Sequence, residues 1–327
     1  MINFGLIGYG KMGKIRATTA LNLGANLISF FDPNEETPSD KKVSSIEELI
    51  ENKDIHSVFI STPNFMNAPL TIKCLEAGKN VFCEKPPALN VKELESVQLA
   101  HKQAGKTLMY GFNHRYHESI IHMKNLIDSG ELGKLIWMRG RYGKSTEENF
   151  FDGWRAKKKY AGGGIVIDQG IHMLDLFLLF SGGFDSVHAA LSNHYWGLDI
   201  EDNAFITLEN KNEGVSASLH STMTQWRHIF SLEVFLERGY MVLNGLKTSS
   251  GAYGEEVLTL AKNRSKPPAA SWDEDVVTSY PVDNSWNLEV EEFFLASKDK
   301  RDPEMGNIND AMNVMKLIER IYSFKIN

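Results

Sequence analysis

Short apolar runs alternate with longer helix-like segments over roughly the first 120 residues of the chain. The strand-like runs lie at residues 2–8, 26–32, 57–62, 80–84 and 107–112. The helix-like segments lie at 11–22, from Ser45 onward, at about 66–77 up to Gly78, and between Asn90 and Gly105. A strand followed by a helix, repeated, predicts a parallel sheet covered on both faces.

After about residue 130 the pattern changes to successive strands. Strand-like runs lie at 134–142, 185–196, 203–210, 214–222, 230–237 and 240–246. Two-residue alternation, clearest in 214–222, predicts an antiparallel sheet with one buried face. An apolar helix at 164–180 interrupts these strands, and helices at about 285–298 and 308–323 follow them. We expect two domains, 1–120 and 121–327, and leave open that the last helix packs back on the first.

Composition narrows the class of protein. The 327 residues carry a formal net charge of −7, which argues against nucleic-acid binding. The two cysteines, Cys74 and Cys83, form no disulfide framework or thiolate zinc site, so we expect a reducing, cytoplasmic setting. The apolar start is too short and glycine-rich for a signal peptide, and the patch at 173–180 is too short for a membrane span.

Three glycines follow the first predicted strand and open the first predicted helix. Gly8, Gly10 and Gly13 have the G-x-G-x-x-G spacing, which lets backbone amides and a helix N-terminus approach a pyrophosphate. Asp32 ends the second strand, where its carboxylate would accept hydrogen bonds from the adenosine ribose. The following residues, 33–35, include no base for a 2′-phosphate, so NAD is favoured over NADP. A flavin or S-adenosylmethionine remains an alternative, since similar glycines serve both.

Two polar segments follow the third and fourth predicted strands. "STPN" covers Ser61 to Asn64, and "EKPP" places Lys85 before two prolines that hold the backbone extended. Ligands of open α/β sheets bind at this carboxyl edge, so both segments are candidates for the site. The alternatives are an ordinary turn and a solvated lysine.

The apolar helix carries a second candidate group. Asp168 and His172 are four residues apart and share one helix face. Gly162–Gly164 precede the helix and allow a close approach to the backbone. Gly170 lies between the two polar residues and predicts close packing against a cofactor ring or another backbone. A buried Asp–His pair favours a cleft. The alternatives are a surface ion pair and a metal site, and we expect no metal, because no third ligand lies near.

Tryptophan and basic residues cluster ahead of this helix. Trp154 and Arg155 precede the triple glycine, and an indole can stack on a sugar ring, although single tryptophans more often fill cores. Seven basic residues lie between Arg139 and Lys159. A charge run is usually a solvated face, but a basic rim could also hold an anionic or nucleotide-linked sugar.

The motifs together resemble the Gfo/Idh/MocA family of nicotinamide-dependent oxidoreductases. The resemblance rests on "GLIGYGKMG", "STPN", "CEKP", "GFNHRY", "GWR" and "GGGIVIDQGIHMLD", in that order. It implies a Rossmann domain, a doubly wound parallel sheet, followed by an α/β domain with a large, mostly antiparallel open sheet. That sheet would join homodimers or homotetramers. The resemblance also implies a cis peptide before Pro86.

The same resemblance implies roles for individual residues. Lys85 would hydrogen-bond the reacting oxygen, His172 would be the general acid/base, and Asp168 would position substrate and imidazole. The cofactor-binding set is Gly8, Gly10, Lys11, Met12, Gly13, Asp32, Ser61, Thr62, Pro63, Asn64, Glu84, Lys85 and Asn113. The substrate-binding set is Lys85, Trp154, Arg155, Asp168 and His172. His114 and Arg115 could equally lie on the surface and are not carried over.

The chemistry that follows is hydride transfer. We expect an NAD-dependent oxidoreductase acting on a secondary hydroxyl or ketone of a sugar, cyclitol or nucleotide-linked sugar. One alternative is an epimerase or glycosidase that uses tightly bound NAD for transient internal redox. Another is a non-catalytic NAD-binding regulator, although such a protein has no need of an acid/base pair.

Overall fold

The chain divides into two compact units. The structure is a computed structural model that describes residues 2–34, 39–146, 150–248, 250–262 and 274–326. Glu35, one of the residues that follow the second predicted strand, and residues 263–273 lie outside the described residues. The first unit comprises Met1–Asn113, Lys159–Gly162 and Ser285–Met315, and the second comprises His114–Lys158, Gly163–Asn284 and Lys316–Asn327.

The first unit contains a five-stranded parallel sheet, which confirms the predicted fold class. Its strand order is β2-β1-β3-β4-β5. The strands are β1 (Asn3–Ile7), β2 (Asn26–Phe31), β3 (Ser57–Ile60), β4 (Asn80–Cys83) and β5 (Leu108–Tyr110). The helices between them are α1 (Lys11–Asn22), α2 (Ile46–Glu51), α3 (Asn64–Glu76) and α4 (Val91–Ala104). Because β2 and β3 flank β1, the strand order reverses at β1, where open α/β sheets bind ligands.

Local signals in the sequence set the helix ends. The Ser45 hydroxyl accepts a hydrogen bond from the Glu48 amide at 3.1 Å, and the Asn90 side chain caps α4 in the same way. Gly105 ends α4 with a φ of 58°, in the left-handed region that favours glycine. These caps satisfy amides that a helix leaves without partners, which is why the helices begin where the sequence predicts.

A fully buried arginine ties three elements of the first unit together. The Arg16 guanidinium of α1 pairs with Glu84, just after β4, at 2.6 Å and with Glu289 of α8 (Ser285–Asp299) at 2.5 Å. It also stacks on the rings of Phe82 and Trp286. The two carboxylates raise the pKa of Arg16, although burial alone would lower it. Glu84, assigned above to the cofactor, therefore has an arginine as its partner in the fold.

The second unit contains an eight-stranded sheet of order β13-β12-β11-β10-β6-β9-β8-β7. Its neighbours are antiparallel except β6 and β9, which are parallel. The strands are β6 (Leu135–Gly143), β7 (Ser186–Ser192), β8 (Asn203–Asn210), β9 (Val215–Thr222), β10 (Ile229–Leu236), β11 (Gly239–Asn244), β12 (Glu256–Lys262) and β13 (Val276–Tyr280). The predicted large, mostly antiparallel sheet is confirmed.

Three elements of this unit were not predicted from the sequence. They are the helix α5 (Glu118–Asp128) and the strands β12 and β13. β13 is an edge strand without a fully buried residue, so its pattern lacks the contrast that marks a strand. β12 does alternate, with Leu258 and Leu260 buried, and the pattern could have revealed it.

The predicted helix at 164–180 is in fact two pieces. A π-helical turn, Val166–Gly170, leads into α7 (Ile171–Ser181). Short helix α6 (Lys158–Ala161) precedes it, and α9 (Ile308–Tyr322) comes late in the chain. By length and composition Lys158–Ser181 could cross a membrane, but 78% of its apolar window is buried inside the protein, as in a core helix.

We expect Arg16→Met to lower the free energy of unfolding by about 3–5 kcal/mol, because two buried carboxylates would lose their counter-charge. Lys124→Met is the matched control, since Lys124 pairs with Asp128 on the surface one turn along α5 and contributes about 0.3–0.5 kcal/mol. Chemical denaturation of both variants measures the difference. Equal effects in the two variants would refute the role of Arg16.

Candidate active site

Of the three glycines in the glycine-rich turn, one has open space where a side chain would project, and two have no such space. Gly8 has a φ of 92°, and a Cβ built on it would lie 2.4 Å from the Ser61 carbonyl oxygen. A Cβ on Gly13 would lie 1.9 Å from the Gly8 oxygen. A Cβ on Gly10, which immediately precedes α1, meets nothing within 4 Å. Gly8 and Gly13 are therefore required by packing, whereas Gly10 leaves the helix N-terminus open to an anion.

Asp32 lies beside this turn at the end of β2. Its Oδ2 accepts a hydrogen bond from the Tyr9 amide at 2.6 Å, and its Oδ1 accepts one from the Asn34 amide at 2.8 Å. Each carboxylate oxygen can accept a further bond, so ribose hydroxyls could still bind. The open glycine, the helix N-terminus and the oriented carboxylate fit a nicotinamide dinucleotide.

A buried asparagine, which the sequence analysis missed, joins the two other loops at this sheet edge. Asn67 of α3 donates to the carbonyl oxygens of Glu84 at 3.2 Å and Pro86 at 2.8 Å. Its Oδ1 accepts from the Thr62 hydroxyl at 3.0 Å. The Lys85–Pro86 peptide is cis, as the resemblance implied, and Lys85 is half-buried. The loops after β3 and β4 are thus held together by one side chain.

Other members of the predicted cofactor set have structural contacts. The Asn64 side-chain amide donates to the Ala161 carbonyl oxygen at 2.8 Å. The Asn113 side-chain amide donates to the Ser285 hydroxyl at 3.4 Å. Lys11 and Met12 lie in the first turn of α1. Lys11 is exposed, and Met12 is half-buried. Pro63 immediately precedes α3.

In the second unit, Glu201 holds the π-helical turn. Its buried carboxylate accepts hydrogen bonds from the amides of Gly164 and Val166 and from the Tyr322 hydroxyl, at 2.8 to 3.0 Å. Burial raises the pKa of Glu201, and these bonds oppose that rise. No local pattern marks this role, because Glu201 lies 35 residues from Val166 along the chain.

The glycines ahead of α7 do allow close approach, as predicted, but the neighbours belong to the protein. A Cβ on Gly163 would lie 2.1 Å from the Tyr322 hydroxyl, and one on Gly164 would lie 2.0 Å from the Glu201 carbonyl oxygen. A Cβ on Gly170 would lie 3.2 Å from the Ser221 hydroxyl of β9. At Gly170 the nearest neighbour is therefore a side chain, and a backbone atom, the Ile165 carbonyl oxygen, follows at 3.4 Å.

Asp168 lies in the π-helical turn between two cations. Lys144 Nζ is 2.5 Å from its Oδ2, and Arg155 Nε is 3.9 Å from its Oδ1. The Arg155 guanidinium also stacks over the half-buried Trp154 ring, at 4.3 Å from its centroid. The fold thus brings Trp154, Arg155 and Asp168 together. It adds Lys144, which the sequence analysis counted only as part of a basic segment.

His172 lies in the first turn of α7 and is buried, with 4% of its surface exposed. Its ring stacks on that of His114, with centroids 3.8 Å apart and planes 15° apart. His114 Nε2 lies 2.9 Å from the Tyr142 hydroxyl, and burial raises the pKa of Tyr142 well above its ordinary value. The neutral Tyr142 hydroxyl therefore contacts the His114 ring, which in turn stacks on the His172 ring.

The surface alternative for "GFNHRY" is wrong for both residues left open. His114 and Arg115 are buried, at 5% and 4% exposure. Arg115 binds Asp175 of α7 through two hydrogen bonds of 2.7 and 2.6 Å. Only tertiary contacts could distinguish this arrangement from a surface turn, because the local sequence is polar.

Family models match both parts of the chain. The oxidoreductase family model for the NAD-binding Rossmann fold matches residues 2–112, and the GFO/IDH/MocA C-terminal domain model matches residues 120–242. The first of these ranges contains the glycine turn, Asp32 and Lys85, and the second contains Lys144, Asp168 and His172. The N-terminal part is therefore an NAD-binding Rossmann domain.

Several curated relatives have related sequences. Levoglucosan dehydrogenase of Pseudarthrobacter phenanthrenivorans is 31% identical over 58% of this chain, and the match spans 54% of that relative, about half its length. 1,5-Anhydro-D-fructose reductase of Ensifer adhaerens is 28% identical over 79% of this chain and 77% of its own. 2,7-Anhydro-N-acetylneuraminate hydratase of Escherichia coli is 26% identical over 76% of this chain and 67% of its own.

Solved structures share the fold. Levoglucosan dehydrogenase in complex with NADH and L-sorbose superposes with a TM-score of 0.86 at 23% identity, covering 99% of this chain and 96% of that one. Aldose-aldose oxidoreductase from Caulobacter crescentus gives a TM-score of 0.82 at 21% identity, covering 98% and 96%. At these identities the likeness establishes the fold.

The two glycines Gly10 and Gly13 offer a matched test of the turn. We expect Gly10→Ala to leave thermal stability unchanged but weaken NADH binding at least about tenfold, or ~1.4 kcal/mol, because the new methyl group occupies the open approach. Gly13→Ala should lower stability by about 1–3 kcal/mol, since its methyl group meets a backbone oxygen. Fluorescence titration with NADH and thermal melts measure both effects. Unchanged NADH affinity in Gly10→Ala would argue against the cofactor site.

Proposed function

The chain belongs to the Gfo/Idh/MocA family of oxidoreductases, and we propose that it transfers a hydride between a nicotinamide and a secondary hydroxyl or ketone of a sugar or cyclitol. One observation carries the proposal beyond family membership. The buried His172 lies four residues after Asp168. Two cations, Lys144 and Arg155, flank the Asp168 carboxylate. An acid/base group beside an oriented acceptor suits the oxidation of a hydroxyl.

The proposed roles follow from how charge moves in the reaction. Bound NAD would supply the hydride acceptor. As the substrate hydroxyl is oxidised, its oxygen develops negative charge, which the Lys85 ammonium would stabilise. His172 would take the hydroxyl proton on a ring nitrogen, since an imidazole with a reference pKa of about 6.5 exchanges protons near neutral pH. Asp168 would accept a hydrogen bond from a neighbouring hydroxyl and so orient the sugar.

Asp32 supports NAD over NADP. A carboxylate held by two backbone amides would accept hydrogen bonds from ribose hydroxyls but repel a 2′-phosphate. Pro33 and Asn34, which follow it, carry no positive charge. NADP is therefore the weaker candidate.

The charges near Asp168 bear on the substrate class. Lys144 and Arg155 face its carboxylate, so these two members of the basic segment are compensated within the protein. Lys157, Lys158 and Lys159 are exposed and could still contact an anionic or nucleotide-linked group. The names of the relatives include levoglucosan, 1,5-anhydro-D-fructose and 2,7-anhydro-N-acetylneuraminate, which favours anhydro sugars as first substrates to test.

A second function has support from one relative. The E. coli relative is named a hydratase, and hydration involves no net oxidation or reduction. The same residues in this chain could therefore serve internal redox with tightly bound NAD. NAD that co-purifies, with product formed but no change in nicotinamide absorbance, would favour this function over the dehydrogenase.

We also propose that the protein is cytoplasmic and forms homo-oligomers through the open face of the second unit's sheet. Three aromatic rings lie parallel on that face. Trp137 and Phe235 stack at 5.1 Å, and Phe235 and Tyr240 at 6.2 Å. On β13, Val277 pairs with Thr259, shares this face and is more than half exposed. An apolar face of this kind suits burial against a second copy of the chain.

The proposed reaction predicts turnover that depends on Lys85 and His172. Nicotinamide absorbance is followed with NAD or NADH and a panel of levoglucosan, 1,5-anhydro-D-fructose, myo-inositol, sugar acids and nucleotide-sugars. We expect Lys85→Ala and His172→Asn each to lower kcat by about 10²–10⁴-fold, since they remove charge stabilisation and the proton acceptor. Lys92→Ala, at an exposed lysine of α4, should leave the rate unchanged. Full activity in either site variant would contradict the assigned role.

The oligomer proposal predicts that Trp137→Asp dissociates the assembly, because a charge would enter an apolar interface. Leu99→Asp is the control, since Leu99 is a 58% exposed leucine of α4, outside the sheet. Light scattering coupled to size-exclusion chromatography measures the mass of each. A monomeric wild-type protein, or an unchanged mass in Trp137→Asp, would rule out this interface.

A further inference from the structure

Lys144 is a buried lysine whose backbone and side chain are both fixed. It directly follows β6, its amide donates to the Thr222 carbonyl oxygen at 2.9 Å, and its own carbonyl oxygen accepts from the Gln225 amide at 3.3 Å. Its Nζ lies over the Phe150 ring, 4.9 Å from the centroid. Only 11% of its side chain is exposed. An ammonium this buried requires an anionic partner.

That partner is Asp168, and its backbone is fixed independently. The Glu201 carboxylate accepts hydrogen bonds from the Gly164 and Val166 amides at the start of the π-helical turn. Gly170, at the end of the turn, packs on Ser221. π-helical turns of this kind are frequent at functional sites. The 2.5 Å contact between Lys144 Nζ and Asp168 Oδ2 thus joins two rigid supports, a strand end and a capped turn.

The Asp168 carboxylate has more acceptor positions than its contact with Lys144 uses. Lys144 takes one position on Oδ2, while Arg155, with about half its side chain exposed, is 3.9 Å from Oδ1, beyond hydrogen-bond distance. A carboxylate has about four acceptor positions, so Asp168 can accept a bond from a substrate hydroxyl in addition to its contacts within the protein. Charge-assisted bonds of this type are short and directional.

We infer that Lys144 is a positioning residue, which holds Asp168 as a fixed acceptor for a substrate hydroxyl. The inference rests on the proposed function, in which Asp168 orients the sugar. Lys144 acts through Asp168, and the substrate does not contact the lysine. Removing the ammonium would let the carboxylate rotate, and the bound hydroxyl would lose its alignment with the reacting groups.

Four variants test the inference: Lys144→Met, Lys144→Arg, Asp168→Asn and the double variant Lys144→Met/Asp168→Asn. We expect Lys144→Met to lower kcat/KM for the sugar by about 10- to 100-fold, with KM for NAD unchanged. Lys144→Arg should recover most of the loss, because it restores a cation. The double variant should match Asp168→Asn alone, since the lysine has no effect without its carboxylate. Lys124→Met is the surface control.

A binding measurement separates this inference from the proposed reaction. Saturation-transfer NMR with levoglucosan and NADH reports sugar binding without turnover. If wild-type protein binds levoglucosan but does not convert it, the proposed reaction fails. Weaker levoglucosan binding in Lys144→Met would still support the inference, and unchanged binding would refute it. If wild-type protein binds no sugar of the panel, Asp168 is no hydroxyl acceptor and the inference falls.

Two kinetic results would also overturn it. A change of less than about twofold in Lys144→Met, with thermal melts showing a folded protein, would make the ion pair structural only. Additive losses in the double variant would mean that Lys144 acts on the substrate directly. Should Lys144→Met fail to fold, Lys144→Arg and the double variant, in which neither charge remains, decide between these outcomes.

Discussion

The guanidinium of Arg16 has no exposed surface, and a charge so placed must be paired within the protein. Its partners are Glu84 and Glu289. Arg16 lies in the helix that opens at the glycine-rich turn, and Glu84 immediately precedes Lys85. The helix that would face a pyrophosphate and the loop that carries the lysine are therefore held by one buried ion cluster. Asn67 adds a second link by binding the same loop to Thr62.

The buried charges of the second unit are also paired within the protein. Asp168 faces Lys144, Asp175 binds Arg115, and the Glu201 carboxylate accepts hydrogen bonds from the backbone and Tyr322. Each pairing joins residues that are far apart in sequence, so each one positions a segment as well as satisfying a charge. The result is a rigid support around the start of α7. A site that must align a hydroxyl with an acid/base group needs such support.

Fold class and most element positions followed from hydrophobic periodicity, and the caps at Ser45 and Asn90 marked two helix starts correctly. The glycine turn and Asp32 stand out in the sequence because their pattern depends on local spacing. The misses have a common cause. Lys144, Asn67 and Glu201 have contacts that depend on partners from other elements. The sequence also left open whether His114 and Arg115 lie on the surface, because their partners are distant in sequence. The π-helical turn was also invisible, since its apolar pattern resembles that of an α-helix.

By itself the sequence determined the parallel and antiparallel halves of the fold, the glycine-rich turn and the residue types available for chemistry. These follow from local backbone preferences and from the periodicity of apolar residues, which act over a few residues. Only the tertiary structure decided that Gly10 is open while Gly8 and Gly13 are closed, that Asp168 faces Lys144, and that His172 stacks on His114. The physical reason is that desolvated charges and rings take partners by proximity in space, which a linear pattern does not contain.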